Sequence, residues 1–216
     1  MNSGTERRQV AGPAGGIECA IDLPVGAVVG AVVGAPLGTA IICHPHPQHG
    51  GTMDNKVVQT LARAIVQLGW RSVRFNFRGV GASQGAWNDG VGEVDDALAV
   101  IAGFRDPAEA FMLAGFSFGA YVAAQAAAKL PEDARPQRMV LVGASTQKQQ
   151  VPAVPANTLV IHGEVDDVVP LAATLAWARP QSLPVVVFPG VGHFFHGQLG
   201  LLRSVVVREL QPRAPL

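Results

Sequence analysis

Charged residues are scarce in this chain of 216 residues, and neither sign is in excess. Asp, Glu, Lys and Arg make up 15% of the sequence, with 16 basic and 16 acidic residues, whereas hydrophobic residues make up 49%. So few charges exclude a highly charged disordered protein and favour a compact, enzyme-like domain with a large buried core. Because no basic excess is available to neutralise phosphates, we expect no nucleic-acid partner.

Cysteine is also scarce. The two cysteines, Cys19 and Cys43, lack CxxC or zinc-ligand spacing, and Cys43 lies in an apolar run typical of a buried thiol. This usage favours a reduced, cytoplasmic compartment. The N-terminal segment has no apolar stretch of the kind that a secretory signal needs. We therefore expect residues 1–15 to form a flexible tail ahead of a single domain at residues 16–216.

A charge-free run of membrane length lies at residues 23–43, where glycine recurs at every fourth position from Gly26 to Gly38. That spacing is typical of helix dimers in membranes. Pro24 and Pro36 interrupt the run, however, and valine and isoleucine fill much of it. These residues favour β-strands around a tight turn, and we expect no membrane partner.

From residue 39 onward, apolar runs of strand length alternate with segments of helical spacing. The predicted strands are 16–24, 28–33, 39–43, 72–77, 111–116, 138–144, 158–162 and 185–189. The predicted helices are 55–68, 91–104, 118–130, 171–178 and 198–209. This alternation predicts a single-domain α/β fold with a mostly parallel sheet, helices on both faces, and ligands at the carboxyl ends of the strands.

The strongest chemical signal is Gly115-Phe-Ser117-Phe-Gly119, which stands between an apolar strand and a helical segment. This is the pattern of a nucleophile elbow, in which a sharp turn holds the serine in a strained conformation and glycines let the turn close. The helix that begins at Phe118 directs its first N–H groups towards the reaction centre. We interpret Ser117 as a catalytic nucleophile.

A serine hydroxyl needs a base to remove its proton, and a carboxylate to orient that base. An acidic loop and then a histidine follow the two later strands, in the order that hydrolases with such an elbow use. Asp166 is preferred over its neighbour Asp167, because only one of two adjacent carboxylates can point inward and Asp166 holds the usual place of the acid before the apolar-apolar-Pro run. The predicted base is His193, in preference to His196.

Other polar residues near these positions are given structural roles. Glu164 is expected to support its loop, and His162 to be a buried core histidine whose ring nitrogens are hydrogen-bonded. We expect His196 to begin or cap the last helix.

These patterns resemble the α/β-hydrolase superfamily, and in particular a group of small, lidless bacterial serine hydrolases. The resemblance covers nearly everything after residue 17. The motifs that carry it besides the serine elbow are HPHP at 44–47, GGxxxNKVV at 50–58 and RFNFRGxGxSxG at 74–85. Membership of this group implies a Ser-His-Asp triad but does not specify a substrate.

The resemblance also implies that an oxyanion hole is formed by the N–H of Phe118 and by an N–H from the loop after the strand at 39–43. Proline has no N–H, which leaves His44, His46, Gln48 and later residues as donors in that loop. His46 fits the superfamily position, and Gln48 remains the alternative. The side chains of His44 and His46 would then pack or hydrogen-bond to hold the loop open.

Two further features bear on the substrate. The connection at 146–157 is too short for an inserted subdomain, so the site should be lidless and suited to short-chain or exposed acyl groups. Arg78 follows a strand and has two interpretations. It either binds an anionic group of the substrate or forms a structural ion pair with Glu93 or Asp95, and the structural ion pair is the preferred interpretation.

Three rival interpretations remain. His44, His46 and His49 form an HxHxxH run like that of zinc hydrolases, although the usual acidic ligand is replaced by Gln48. The second rival is a Rossmann enzyme, suggested by the glycines at 79, 81 and 85 after a strand. The third glycine comes one residue later than the GxGxxG dinucleotide-binding pattern requires, so the pattern is not matched. A catalytically inactive binding scaffold is the third rival.

The sequence therefore predicts a serine hydrolase of carboxylesterase type, acting on a small-molecule ester through Ser117, His193 and Asp166. The predicted reaction requires no cofactor and no metal. Thioester or peptide hydrolysis would use the same residues. Oligomeric state cannot be read from the sequence.

Overall fold

Eight strands form one sheet in the computed structural model, which describes residues 4–24 and 35–211. The strands are β1 (Glu6–Gly12), β2 (Gly15–Asp22), β3 (Gly38–Cys43), β4 (Arg71–Phe75), β5 (Ala110–Phe116), β6 (Arg138–Val142), β7 (Leu159–Gly163) and β8 (Val185–Phe188). Their spatial order is β1-β2-β4-β3-β5-β6-β7-β8. Pairing is antiparallel from β1 to β4 and parallel from β4 to β8.

Within these two ranges, five α-helices cover the sheet: α1 (Lys56–Gln67), α2 (Val91–Phe104), α3 (Phe118–Lys129), α4 (Leu171–Ala178) and α5 (Leu199–Leu210). Alternate strand residues enter different core clusters. On β3, Ile41 and Cys43 belong to the cluster that contains residues of α2 and α3, whereas Ala40 and Ile42 join residues of α1 and α5. Apolar side chains are thus buried on both faces, which is why the central strands read as continuous apolar runs.

The predicted fold class is confirmed: this is a single-domain α/β fold with a mostly parallel sheet. Helices α2 and α4 have the predicted bounds, and the others differ from prediction by one residue at one or both ends. The connection between β6 and β7 contains no helix or strand, so no lid is inserted there. The carboxyl ends of β3 to β8 therefore share one open edge.

The N-terminal segment differs from the predicted flexible tail, because residues 6–12 form the edge strand β1. β1 pairs with β2 in a hairpin, from Glu6 opposite Ile21 to Gly12 opposite Gly15. Its side chains are mostly exposed and polar, and Arg7 forms an ion pair with Glu18 at 3.2 Å. An edge strand held by main-chain pairing and polar contacts carries no hydrophobic alternation, so the residue pattern at 6–12 does not predict a strand.

The predicted strand at 28–33 lies outside the described residues, as do Gly26, Gly30 and Gly34 of the glycine series. In the ranges 4–24 and 35–211, no helix is long and apolar enough to cross a membrane.

Candidate active site

Ser117 occupies the sharp turn between β5 and α3. Its backbone has φ 57° and ψ −119°, a region that non-glycine residues rarely adopt. A Cβ atom on Gly115 would lie 2.2 Å from the carbonyl oxygen of Gly119, and one on Gly119 would lie 2.2 Å from that of Cys43. The missing side chains therefore let strand, turn and helix pack backbone against backbone, as the GxSxG pattern predicts.

The structure brings Ser117, His193 and Asp166 together in a hydrogen-bonded chain. The Nε2 atom of His193 lies 3.0 Å from Oγ of Ser117, and its Nδ1 atom lies 2.6 Å from Oδ2 of Asp166. A carboxylate only accepts hydrogen bonds, so Nδ1 carries the proton and Nε2 faces the serine as an acceptor. This arrangement can remove the proton from the serine hydroxyl.

The three hydrogen-bonded residues lie directly after the ends of three different strands. Ser117 follows β5, Asp166 follows β7 and His193 follows β8, and all three side chains are buried at the carboxyl edge of the sheet. The ring of Phe116 lies beside the imidazole of His193, with centroids 4.9 Å apart. The histidine therefore has a packed aromatic wall that limits its rotation.

Asp166 is stabilised as a carboxylate by its own loop. Its Oδ1 atom accepts hydrogen bonds from the backbone N–H groups of Val168 at 2.9 Å and Val169 at 2.7 Å. Burial alone would raise the pKa of Asp166, but the hydrogen bonds from His193, Val169 and Val168 outweigh it and lower that pKa below its usual value. Asp167 is exposed, so only the first carboxylate of the pair points inward.

The predicted oxyanion residues lie at the start of α3 and in the loop after β3. The N–H of Phe118 belongs to the first turn of α3 and has no intrahelical acceptor. The close contact of Gly119 with Cys43 brings this helix start against the loop that contains His46. Phe118 and His46 also touch through their rings, whose centroids are 5.0 Å apart.

Hydrogen bonds within the loop distinguish the two alternative donors. The N–H of Gln48 donates to Nδ1 of His46 at 3.3 Å, and the N–H groups of His49 and Gly51 donate to the carbonyl oxygen of His46. The N–H of His46 donates to no atom of the described residues. Burial, His49 and Lys148 lower the pKa of His46, which keeps its ring neutral and able to accept from Gln48. The geometry therefore favours His46 over Gln48.

His44 holds the loop after β3 through contacts of both its ring nitrogens. Its Nδ1 atom lies 2.6 Å from the carbonyl oxygen of Pro45, and its Nε2 atom accepts a hydrogen bond from the N–H of Phe77 at 3.0 Å. Complete burial lowers its pKa to about 3, so the ring is neutral. Because both nitrogens are occupied, His44 has no free ligand atom for the metal site that the HxHxxH run suggests. Within the ranges 4–24 and 35–211, no three His, Cys, Asp or Glu side chains converge as metal ligands.

Arg78 is a structural clamp, but its partner differs from those expected. Its Nε and NH2 groups donate to the carboxylate of Asp96 at 2.9 and 2.7 Å, and its backbone N–H donates to the same carboxylate at 3.0 Å. Glu93 instead accepts from the N–H groups of Asn88 and Gly90 at the start of α2. On a helix, adjacent acidic residues face different directions, and the sequence alone does not identify the one that faces Arg78.

The remaining polar residues divide into supported and revised predictions. Glu164 accepts from the N–H of Gly190 at 2.8 Å and so supports its loop. His162 is buried, and its nitrogens contact the carbonyl oxygen of Val169 at 2.8 Å and the hydroxyl of Thr174 at 3.2 Å. His196 does not cap α5, whose N-cap is Gln198.

Two aromatic residues near the site, Trp87 and Tyr121, were not singled out by the sequence. Trp87 lies 4.6 Å from His46 and 5.3 Å from Phe118, and Tyr121 lies 5.8 Å from Phe118, measured between ring centroids. The signal that could have identified Trp87 is an indole in the glycine-rich segment after β4, because loops at the carboxyl ends of strands surround ligands in such folds.

Comparison with known proteins shows which family and which solved structures this chain resembles. A family model described as serine aminopeptidase, S33, matches residues 36–155. An α/β serine hydrolase homologue from Coxiella burnetii is 41% identical, with 95% of this chain and 97% of that chain covered and a TM-score of 0.83. A lidless α/β serine hydrolase from Xanthomonas campestris is 39% identical, with 100% and 99% covered and a TM-score of 0.86.

A curated protein from Rickettsia prowazekii (strain Madrid E), described as uncharacterized, is 44% identical over 96 residues. That match spans 43% of this chain and 40% of the relative's length.

The buried, neutral His44 predicts a pH-dependent loss of stability. Its pKa is about 3 when folded and about 6.5 in the unfolded chain, so acidification protonates the unfolded state first. Stability that is fully present above pH 6.5 is lost as the pH falls towards 3. Lowering the pH from 7 to 5 protonates His44 in the unfolded chain only, which should lower the free energy of unfolding by about 2 kcal/mol.

Urea unfolding at both pH values measures this cost. We expect His44→Asn to show a pH-dependent loss smaller than that of the wild type by this amount. His49→Asn, which alters an exposed histidine of the same loop, serves as the control and should behave like the wild type. An equal loss in wild type and His44→Asn would contradict the assignment.

Proposed function

The chain belongs to the serine aminopeptidase S33 family of α/β hydrolases, and on this basis we propose that it is a carboxylester hydrolase that forms an acyl-enzyme on Ser117. The observation that supports this most strongly is the hydrogen-bonded chain from Ser117 through His193 to Asp166, with distances of 3.0 and 2.6 Å. No cofactor enters the proposed reaction.

In the proposed mechanism, Oγ of Ser117 attacks the ester carbonyl carbon while Nε2 of His193 takes the serine proton. Asp166 holds the ring and stabilises the imidazolium. The tetrahedral intermediate collapses as His193 returns that proton to the departing alcohol oxygen. Water then attacks the acyl-enzyme with the same base, and releases the carboxylic acid and free Ser117.

Two backbone donors would stabilise the oxyanion in both steps. The N–H of Phe118 has no intrahelical acceptor at the positive end of α3, and the N–H of His46 has no acceptor among the described residues. Preorganised donors of this kind stabilise developing charge without reorganising during the reaction. We therefore assign the oxyanion hole to Phe118 and His46.

The open carboxyl edge favours substrates that need no covering lid. The connection between β6 and β7 carries no inserted element, and both Phe194 and Val165 are exposed beside the site, at 40% and 58%. Short or exposed acyl groups suit such a cleft, and a small-molecule ester is the proposed substrate. Thioester and peptide bonds can react through the same residues, and relative turnover of the three bond types distinguishes them.

Asp166 and Asp167 provide a matched pair of substitutions. We expect Asp166→Asn to lower kcat by about 10³–10⁴-fold, because an amide cannot hold His193 in the required tautomer. Asp167→Asn should retain near wild-type turnover, since that carboxylate is exposed.

The measurement is turnover of p-nitrophenyl esters from acetate to palmitate, with chelator present, compared with aminoacyl p-nitroanilides and acyl thioesters. Faster turnover of short esters supports the proposal, and preference for an anilide or a thioester would replace the ester assignment. Equal kinetics of the two aspartate variants, or activity in Ser117→Ala, would contradict the triad.

A second pair of variants tests the oxyanion donor in the loop. His46 has φ −54°, which proline adopts, so His46→Pro removes the N–H at this position without requiring a new φ. His46→Ala removes the ring but keeps the N–H. We expect His46→Pro to lower kcat about 10²–10³-fold more than His46→Ala does. Similar kcat values in two folded variants, as judged by circular dichroism, would show that the N–H of His46 is not a donor.

A further inference from the structure

Four aromatic side chains form a continuous group beside Ser117, which we call the aromatic cluster: His46, Trp87, Phe118 and Tyr121. Ring centroids are 4.6 Å apart for His46 and Trp87, 5.3 Å for Trp87 and Phe118, and 5.8 Å for Phe118 and Tyr121. Phe118 is buried, whereas the other three rings are only partly buried. The cluster therefore has a buried base and rings that remain partly accessible.

The loop that carries Trp87 is constrained around its indole. The indole Nε1 donates to Oδ1 of Asp89 at 3.0 Å, and Asp89 has a left-handed backbone with φ 51°. Gly90 follows with φ 86°, and a Cβ at that position would lie 3.2 Å from the ring of Tyr121. A non-glycine residue with positive φ is strained and persists where its surroundings impose it. The indole is thus held over His46 and Phe118 by a specific local structure.

Sheet topology places the cluster on one side of the serine and the base on the other. Trp87 and His46 follow β4 and β3, whereas Asp166 and His193 follow β7 and β8, and Ser117 follows β5 between them. In the proposed reaction the departing alcohol oxygen must face His193, which protonates it. The oxyanion faces the N–H groups of Phe118 and His46, so the acyl substituent takes the remaining direction away from His193, on the side of the serine where the loops after β3 and β4 carry the aromatic cluster.

We propose that the aromatic cluster binds the acyl part of the substrate and selects planar aromatic acyl groups, with Trp87 as the specificity-determining residue. This inference rests on the proposed function. Aromatic rings favour offset or edge-to-face contact with other rings, which an aroyl group can make and a short alkyl chain cannot. The selection adds a preference within the short or exposed acyl groups that the open cleft accepts.

Phe194 offers a contrasting position on the other side of the serine. Its ring is 40% exposed and its centroid lies 5.1 Å from that of His193. A group at this place is next to the base and therefore next to the departing alcohol. Replacing Phe194 should alter selectivity for the alcohol part of an ester and leave acyl selectivity unchanged, which makes it a matched control for Trp87.

The test compares kcat/KM for p-nitrophenyl benzoate with that for p-nitrophenyl butyrate, which share one leaving group. We expect Trp87→Ala to reduce the benzoate-to-butyrate ratio roughly tenfold, the scale of one aromatic pair contact. Trp87→Phe should stay within about threefold of the wild-type ratio, because it keeps a planar ring. Phe194→Ala should keep the wild-type ratio with these two esters.

Three outcomes would overturn the inference. The benzoate-to-butyrate ratio of kcat/KM could be unchanged in folded Trp87→Ala, or it could fall as much in Phe194→Ala as in Trp87→Ala. If Trp87→Ala fails to fold, Trp87→Leu provides an apolar but non-planar replacement, and an unchanged ratio there has the same meaning. Failure of the proposed function has a different signature: neither ester would be hydrolysed by the wild type in a manner that Ser117→Ala abolishes.

Discussion

The site depends on the backbone contact between the serine turn and its neighbours. Gly115 and Gly119 let the end of β5, the start of α3 and the loop after β3 approach more closely than any Cβ atom allows. This contact holds Ser117 in a left-handed conformation, and it brings the first N–H groups of α3 beside the loop that contains His46. One steric requirement therefore positions both the serine hydroxyl and the groups assigned to the oxyanion.

Buried polar groups around this turn are fixed by hydrogen bonds in one protonation state. Asp166 receives two backbone N–H groups and the imidazole of His193, which stabilises its charge. His44 is neutral and joins the loop after β3 to the backbone that follows β4. Arg78 is paired with the buried Asp96. Each of these groups would be costly to bury without its partner, so together they specify one arrangement of the loops.

Much of this arrangement could be predicted from the sequence, because its signals are local. The GxSxG pattern between a strand and a helix predicted the turn at Ser117, and the strand ends predicted where Asp166 and His193 would lie. The structure brings these three residues together, while their catalytic roles stay a prediction. The fold class followed from alternating apolar runs, which arise because both faces of the sheet are buried.

The features that could not be predicted depend on distant or exposed partners. The edge strand β1 has polar, exposed side chains and is recognisable only from its pairing with β2. Asp96 is selected as the partner of Arg78 by the orientation of α2, which spacing did not reveal. The position of Trp87 over His46 and Phe118 depends on the conformation of its loop.

Ser117 is proposed to be an activated nucleophile, and covalent labelling with a fluorophosphonate tests this role without requiring a known substrate. We expect one adduct per chain, located at Ser117 by peptide mass spectrometry, formed with chelator present and absent from Ser117→Ala. A folded wild-type protein that remains unlabelled, or an adduct at another residue that persists in Ser117→Ala, would contradict it.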